Sequence, residues 1–237
     1  MMELIIMAVL GFAPVDSYNR GNELYRVGNY PAAIEAYSNA LDKVNSPYLF
    51  YNLGNAYFKS GQIGKAIVNY RRAYFLEPRD ADINNNLVYA RNYRVDKILT
   101  GRGPIERYLY ILFHWFSNSE SFWFSIVSFG LLSLFISFYI LSRKGKILIF
   151  VFISGFVFFY LLLSFSLWQN EKNTLPAVVV VPEVSALSGP GDEFKQILLL
   201  HDGTEVLIKD KRNDFVLVQL PGGAGGWLNK EALEKIY

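Results

Sequence analysis

Three regimes of hydrophobic patterning follow one another along the chain. Residues 14–99 read as paired helices with glycine, alanine and tyrosine at fixed intervals, as in "YNLGNAYFKSGQIGKAIVNYRRA". Two uncharged apolar runs come next, Ser121–Leu141 and Ile147–Trp168. Each is long enough to cross about 30 Å of hydrocarbon as a helix. From Ala177 onward short β-rich runs alternate with turns. They predict strands at Ala177–Val181, Ile197–Leu200, Glu205–Lys209, Phe215–Gln219 and Gly226–Asn229. The intervening turns are Ser188–Gly191, His201–Thr204 and Pro221–Gly226.

The helical region repeats itself at an offset of 33 residues: Gly21 with Gly54, Asn22 with Asn55, Gly28 with Gly61, Ala33 with Ala66, Ile34 with Ile67, Tyr37 with Tyr70, Ala40 with Ala73. This period, with Leu53-Gly54, Tyr57, Ala66, Tyr70, Ala73 and Pro78, resembles the tetratricopeptide repeat. The first copy, about 14–46, has Arg20 where the second, 47–80, has Leu53, and it lacks the terminal proline. Residues 81–99 read as a first helix of a third copy, extended as a cap. Glycine weakens a helix by roughly 1 kcal/mol. The expectation is that Gly54 and Ala66 let the paired helices approach, that Gly61 takes a left-handed turn conformation, and that Pro78 stops the second helix. So few repeats need a cap or a partner for stability.

In the family the first helices line a concave face. Here that face would carry Tyr18, Asn19, Asn22, Arg26, Tyr51, Asn52, Asn55, Lys59, Asn85, Asn86 and Tyr89. One reading is a solvated polar face with asparagines bonding locally. The other is a groove for an extended peptide, since an asparagine amide pairs with a peptide unit as donor and acceptor. Asn22 and Asn52 match two positions of the family's carboxylate clamp, but Tyr18, Asp82 and Asn86 stand where its basic members belong. Capture of a free carboxylate is therefore not implied.

Composition sharpens the middle regime. Hydrophobic residues make up 52% of the chain and charged ones 19%, which points to a membrane component. The link between the two apolar runs holds Arg143, Lys144 and Lys146 and no acid, so it is expected to stay in the cytoplasm. Both flanking modules then fall outside, in a bacterial periplasm. Ser117 and Glu120 form a capping-box pattern ahead of the first span, and Trp115, Trp123 and Trp168 stand near the span ends. The run Tyr108–Phe116 is too short to span and is expected to lie in the interface or to pack on the first span. Leu4–Ala13 resembles a signal-peptide core, though no basic residue precedes it and Pro14 would follow the cut.

The C-terminal order of strands and turns resembles the bacterial SH3-like barrel. The carrying features are Gly189-Pro190, the Asp202-Gly203-Thr204 turn, the Gly226-Trp227-Leu228 strand and a closing turn at Glu231–Leu233. Ala186-Leu187 departs from the family pattern. The fold class implied is a multidomain membrane protein: an all-α tetratricopeptide solenoid, two transmembrane helices and a small all-β SH3-like barrel. Expected boundaries are 1–13 for a signal-like segment and 14–99 for the repeats (14–46, 47–80, cap 81–99). A linker with an interfacial helix follows at 100–120. The spans are 121–141 and 147–168 around a loop at 142–146, then a linker at 169–176 and the barrel at 177–237.

Candidate chemistry is sparse. Without cysteine, disulfides, thiolate metal sites and cysteine nucleophiles are excluded. "PGGAGGW" is followed by neither Gly-Lys-Ser/Thr nor a helix, so it reads as a hairpin turn and not a phosphate loop. His114 and His201, the two histidines, are too differently placed for a shared metal site. No catalytic set, metal site or cofactor is expected, and a net charge of +2 gives no case for nucleic acid. The order of parts, with "NNNLVYARNYRVDKI" at 84–98, resembles the E component of the Bacteroides aerotolerance operon. That resemblance implies membrane-anchored von Willebrand factor A domain partners, indirectly a MoxR-type ATPase, and a scaffold role in aerotolerance or envelope stress. The alternative is a cell-wall-binding or envelope-sensing protein whose barrel meets peptidoglycan.

Overall fold

The computed structural model describes residues 13–97 and 103–237. The expected signal-like segment lies outside these residues except for Ala13. The chain forms two units. One joins the N-terminal helices to the C-terminal strands, and the other is Gly101–Asn173.

Five helices build the first part: α1 (Ala13–Arg26), α2 (Tyr30–Leu41), α3 (Pro47–Lys59), α4 (Ile63–Leu76) and α5 (Ala81–Asn92). Their ends follow local chemistry. Pro31 and Pro47 stand in the first turns of α2 and α3, where a missing N–H costs nothing. Asp80 caps α5 by accepting from the Ile83 and Asp82 amides at 3.0 and 2.9 Å. Gly28 and Gly61 turn the hairpins at φ 79° and 81°, a region that glycine enters without strain. Inside each hairpin, a Cβ on Gly21 would lie 2.5 Å from the Tyr37 ring, and one on Gly54 2.7 Å from Tyr70. The glycines are thus seats for tyrosine rings. Ala33, Ala36 and Ala40 pack with Leu49, Leu53 and Ala56 in the first core. The extended cap expected over 81–99 is shorter in the structure: α5 ends at Asn92, and residues 93–97 turn away.

The strands form one seven-stranded antiparallel sheet in the order β3-β2-β6-β5-β4-β1-β7. They are β1 (Pro176–Val179), β2 (Glu183–Leu187), β3 (Gln196–His201), β4 (Glu205–Arg212), β5 (Phe215–Gln219), β6 (Gly225–Asn229) and β7 (Leu233–Lys235). Two of these were not expected. β2 is a short alternating stretch between Pro182 and the Gly189-Pro190 turn, and it pairs with β3 through a bulge at Ala186/Leu187. β7 follows a 3-10 turn at Lys230–Ala232 and pairs with β1, in a segment whose composition reads as helical. Ala186, Val206, Ile208, Val216, Val218 and Leu228 fill the sheet core.

The array and the sheet are not independent modules, as their separation in sequence suggested. They share a core: Ala66, Ile67 and Tyr70 of α4 and Leu87 and Ala90 of α5 pack with Val178 and Ile236. At its rim, Glu205 is gripped by three arginines. Arg91 binds it bidentately at 2.7 Å twice, Arg94 at 3.1 Å and Arg71 at 3.5 Å. The Glu205 side chain is only 18% exposed. Asp96 accepts from the His201 amide at 2.8 Å and from the Thr204 hydroxyl at 2.5 Å. Asp202 accepts from the Gly64 amide at 3.0 Å, so the sheet caps α4, which has no side-chain cap of its own. Arg72 donates to the Ile236 and Lys235 carbonyls and to Glu234. The sheet therefore covers the open side of a short array, which the sequence left to a cap or a partner.

The second unit contains α6 (Pro104–Phe113), α7 (Asn118–Ser142) and α8 (Ile147–Asn173). Helices α7 and α8 are long and apolar enough to cross a membrane. Ser117 and Glu120 form a complete capping box at the start of α7. Buried serines line the seam, and Ser121 and Ser164 bond to each other at 2.9 Å. Small side chains there let the two backbones come close. The segment around Tyr108–Phe116 meets α8, the second apolar helix, and not the first as expected. Tyr160 and Ser164 on α8 donate to its Leu112 and Phe113 carbonyls.

Burial pushes the Glu205 carboxyl up, but Arg91 above all, then Arg71 and Arg94, outweigh it and hold the group at about 2, against 4.5 when free. A depressed folded pKa means that its contribution is whole above pH 4.5 and is lost as pH falls toward 2. Asp96 is also lowered, since its bonds to Thr204 and His201 overcome burial. Asp202 is raised by burial and so works in the opposite sense. We expect Glu205→Gln to cost about 3 kcal/mol at neutral pH and to flatten the acid limb of stability between pH 4.5 and 2. Thermal melts of the detergent-solubilised chain across that range check this. Gly54→Ala, which drives a methyl into Tyr70, is expected to cost about 1–3 kcal/mol in the same melts.

Candidate functional site: the face of the first helices

Helices α1, α3 and α5 each open a repeat, and their facing side chains form a regular ladder. Asn22 Oδ1 accepts from the Tyr37 hydroxyl at 2.8 Å and from Asn52 Nδ2 at 3.3 Å. Asn52 Nδ2 also reaches the Tyr18 hydroxyl at 3.1 Å. One repeat on, Asn55 Oδ1 accepts from Tyr70 at 2.7 Å and from Asn86 Nδ2 at 2.8 Å, and Asn86 Nδ2 reaches Tyr51 at 3.1 Å. Each rung ties the two helices of one repeat to the first helix of the next. Burial raises the Tyr37 hydroxyl to about 12 and pushes Tyr70 up as well. Both therefore remain donors throughout the neutral range.

This ladder changes what the sequence-predicted groove residues do. Asn22, Asn52, Asn55 and Asn86 are bonded within the array, as the locally bonded reading had it. Tyr18 and Tyr51 accept from those amides. Asn19, Arg26, Lys59, Asn85 and Tyr89 remain exposed on the array. A recess of about 260 Å³ lies on the same face, lined by Asn22, Tyr25, Arg26, Tyr37, Asn52 and Asn55. Tyr25 was missed in sequence, although it stands one helical turn beyond Asn22. Phe58 and Tyr93 were missed too. With Tyr89 they make an aromatic cluster, at centroid distances of 5.0–5.5 Å, and the two tyrosine hydroxyls bond at 2.8 Å. Together these groups offer a cationic, amide and aromatic surface of the kind that holds polypeptide by hydrogen bonds and flat contact.

The remaining candidates lie elsewhere. Ala66 and Ala73 are fully buried in α4, and Pro78 is buried after it. Gly189 and Pro190 turn between β2 and β3, under Phe194. Gly203 turns between β3 and β4 against Arg94, and Gly226 in β6 backs onto Ala186. Trp227 is 8% exposed, with the Arg212 guanidinium 5.4 Å from its ring centre. Arg143, Lys144 and Lys146 are in or beside the turn between α7 and α8. His201 pairs with Asp96 at the array–sheet junction. His114 lies beside Glu171 and stacks on Tyr110 within the second unit. Among the described residues, no group of three His, Asp or Glu side chains is placed to hold a metal ion.

A family model described as TPR repeat matches residues 21–61 and 54–91. Helices α1–α5 are tetratricopeptide repeats. No curated protein matches the chain. The repeats point to a role in protein–protein interaction, and such modules are typically non-catalytic.

If the asparagines hold the array together, Asn55→Ala strands the Tyr70 hydroxyl and the Asn86 amide. We expect a loss of about 1–3 kcal/mol. Arg26→Ala and Lys59→Ala are expected to stay within about 0.5 kcal/mol of the parent. Thermal melts of the three variants, side by side, decide whether the ladder is structural.

Proposed function

We propose that the protein is a non-catalytic scaffold of the bacterial inner membrane that grips a protein segment on the face of its first helices. The observation that carries this reading is the division of the array's surface. The α4 and α5 side is covered by the chain's own sheet, while the other side presents the recess and the exposed Arg26, Lys59, Asn85 and Tyr89.

The membrane part of the proposal rests on the two long apolar helices. The array precedes them and the sheet follows them, yet array and sheet share one core. Both must then lie on one side of a bilayer, which an even number of crossings satisfies. The basic link Arg143–Lys146 supports a cytoplasmic turn and a periplasmic array and sheet. For the sheet we propose an SH3-like barrel, on the strength of its Gly189-Pro190 and Asp202-Gly203-Thr204 turns and its Gly226-Trp227 strand. The resemblance to the aerotolerance operon's E component supports von Willebrand factor A domain proteins as partners, a MoxR-type ATPase behind them, and a place in aerotolerance or envelope stress. The peptidoglycan-binding alternative lacks a comparable observation, because Trp227 is buried beneath Arg212.

The test is affinity capture from detergent-solubilised membranes, with Arg26→Glu/Lys59→Glu beside the parent. These positions leave the ladder intact. Retention of a von Willebrand factor A domain protein by the parent, and its loss from the variant, is expected. Equal retention by both would remove the groove from the proposal.

A further inference from the structure

Helix α6 presents a surface that the protein itself does not cover. None of its residues is buried. Ile105 is 77% exposed and Tyr108 66%, and Leu109, Ile111 and Leu112 are also open. Only Tyr110 and Phe113 are half-buried. The helix has two charges, Glu106 and Arg107, both near its start. A helix on a water-facing surface normally buries one apolar stripe and shows a polar face. This one does neither.

Its C-terminal end is tied down with unusual completeness. Tyr160 donates to the Leu112 carbonyl at 2.6 Å, Ser164 to Phe113 at 2.5 Å and Trp168 Nε1 to Phe116 at 2.9 Å. The His114 amide closes on Tyr110 at 2.9 Å. Tyr160, Ser164 and Trp168 are four residues apart, so they share one face of α8 and span about 12 Å of its axis. Free carbonyls at a helix end are harmless in water, but in hydrocarbon they must find partners inside the protein. Three side chains of an apolar helix spent on three carbonyls of one short segment answer that need.

We propose that α6 is an in-plane membrane anchor: its apolar surface rests at the boundary of headgroups and acyl chains, and its C-terminal end is hydrogen-bonded to α8. The proposal rests on the reading of α7 and α8 as membrane spans. Lipid is the occupant because the open apolar surface of α6 belongs to the same unit as the open apolar surfaces of α7 and α8, such as Phe156 at 77% exposure. The depth agrees. Leu112 is bonded to a side chain about 12 Å below Trp168 on α8, and a tyrosine reaching upward places the helix at the level favoured by amphipathic helices, about 5–10 Å into the boundary. Tyr108, Tyr110 and Trp115 are rings that favour that level.

The absence of cysteine makes the test direct. Single cysteines at Ile105, Tyr108, Phe156 and Lys43 in the full chain are labelled with a nitroxide. The protein is reconstituted in vesicles of phosphatidylcholine and phosphatidylglycerol, and collisions with oxygen and with a water-soluble nickel chelate are compared. We expect Phe156→Cys to be oxygen-dominated and Lys43→Cys nickel-dominated. Ile105→Cys and Tyr108→Cys should fall between, with nickel contact several-fold below that of Lys43→Cys. Nickel contact at 105 and 108 equal to that at 43, with 156 still deep, would overturn the anchor and leave the spans standing. Shielding of 105 and 108 from both reagents would mean protein cover and also overturns it. A nickel-exposed Phe156→Cys would defeat the spans and the anchor together. Tyr160→Phe/Ser164→Ala, made in the Tyr108→Cys chain, should raise nickel contact several-fold. No change would overturn the hydrogen-bonded attachment.

Discussion

Arg71, Arg91 and Arg94 converge from α4 and from α5 and the turn after it onto one carboxylate, Glu205, at the start of β4. Four charged groups in so little space are costly to desolvate, and a cluster of this kind often adds little net stability over an apolar one. Its effect is on geometry. Only one placement of the sheet satisfies the bidentate fork of Arg91 while Arg94, itself buried, reaches the same oxygen. Around that fixed point Asp96 meets Thr204 and His201, Asp202 caps α4, and Val178 and Ile236 enter the helical core.

The consequence for the array is completion. Two and a half repeats expose the side of their last helices, and such stacks gain their stability from neighbours. Here the neighbour is the chain's own C-terminal sheet, more than a hundred residues away in sequence. Covering that side also decides which surface stays available. The face of α1, α3 and α5 is left open, and the ladder of tyrosine and asparagine keeps its helices in register.

That ladder shows how a polar face does two jobs. Asn22 and Asn55 sit at the centre of rungs that join neighbouring repeats, so their recurrence at 33 residues is a packing repeat as much as a binding motif. The side chains left for a partner are the ones that do not recur, such as Arg26, Lys59 and the aromatic group of Phe58, Tyr89 and Tyr93. Binding chemistry on a repeat scaffold falls naturally to such positions, because packing does not constrain them.

The sequence by itself determined the parts whose physics is local. The glycine and alanine spacing of the helical hairpins, the two uncharged runs, the Ser117–Glu120 capping box and five of the strands are all set by residues within a turn or two of one another. Strands β2 and β7 escaped notice because they are short and poor in strong strand formers, and they exist by pairing with β3 and β1. Only tertiary structure decided that the asparagines bond to tyrosines 15 residues away and asparagines about 30 away, that α6 rests on α8, and that Glu205 lies beneath three arginines from 111 to 134 residues earlier in the chain. Periodicity reports which face of an element is apolar. It carries no information about which distant surface that face will meet, because the meeting is settled by shape and charge that no single segment contains.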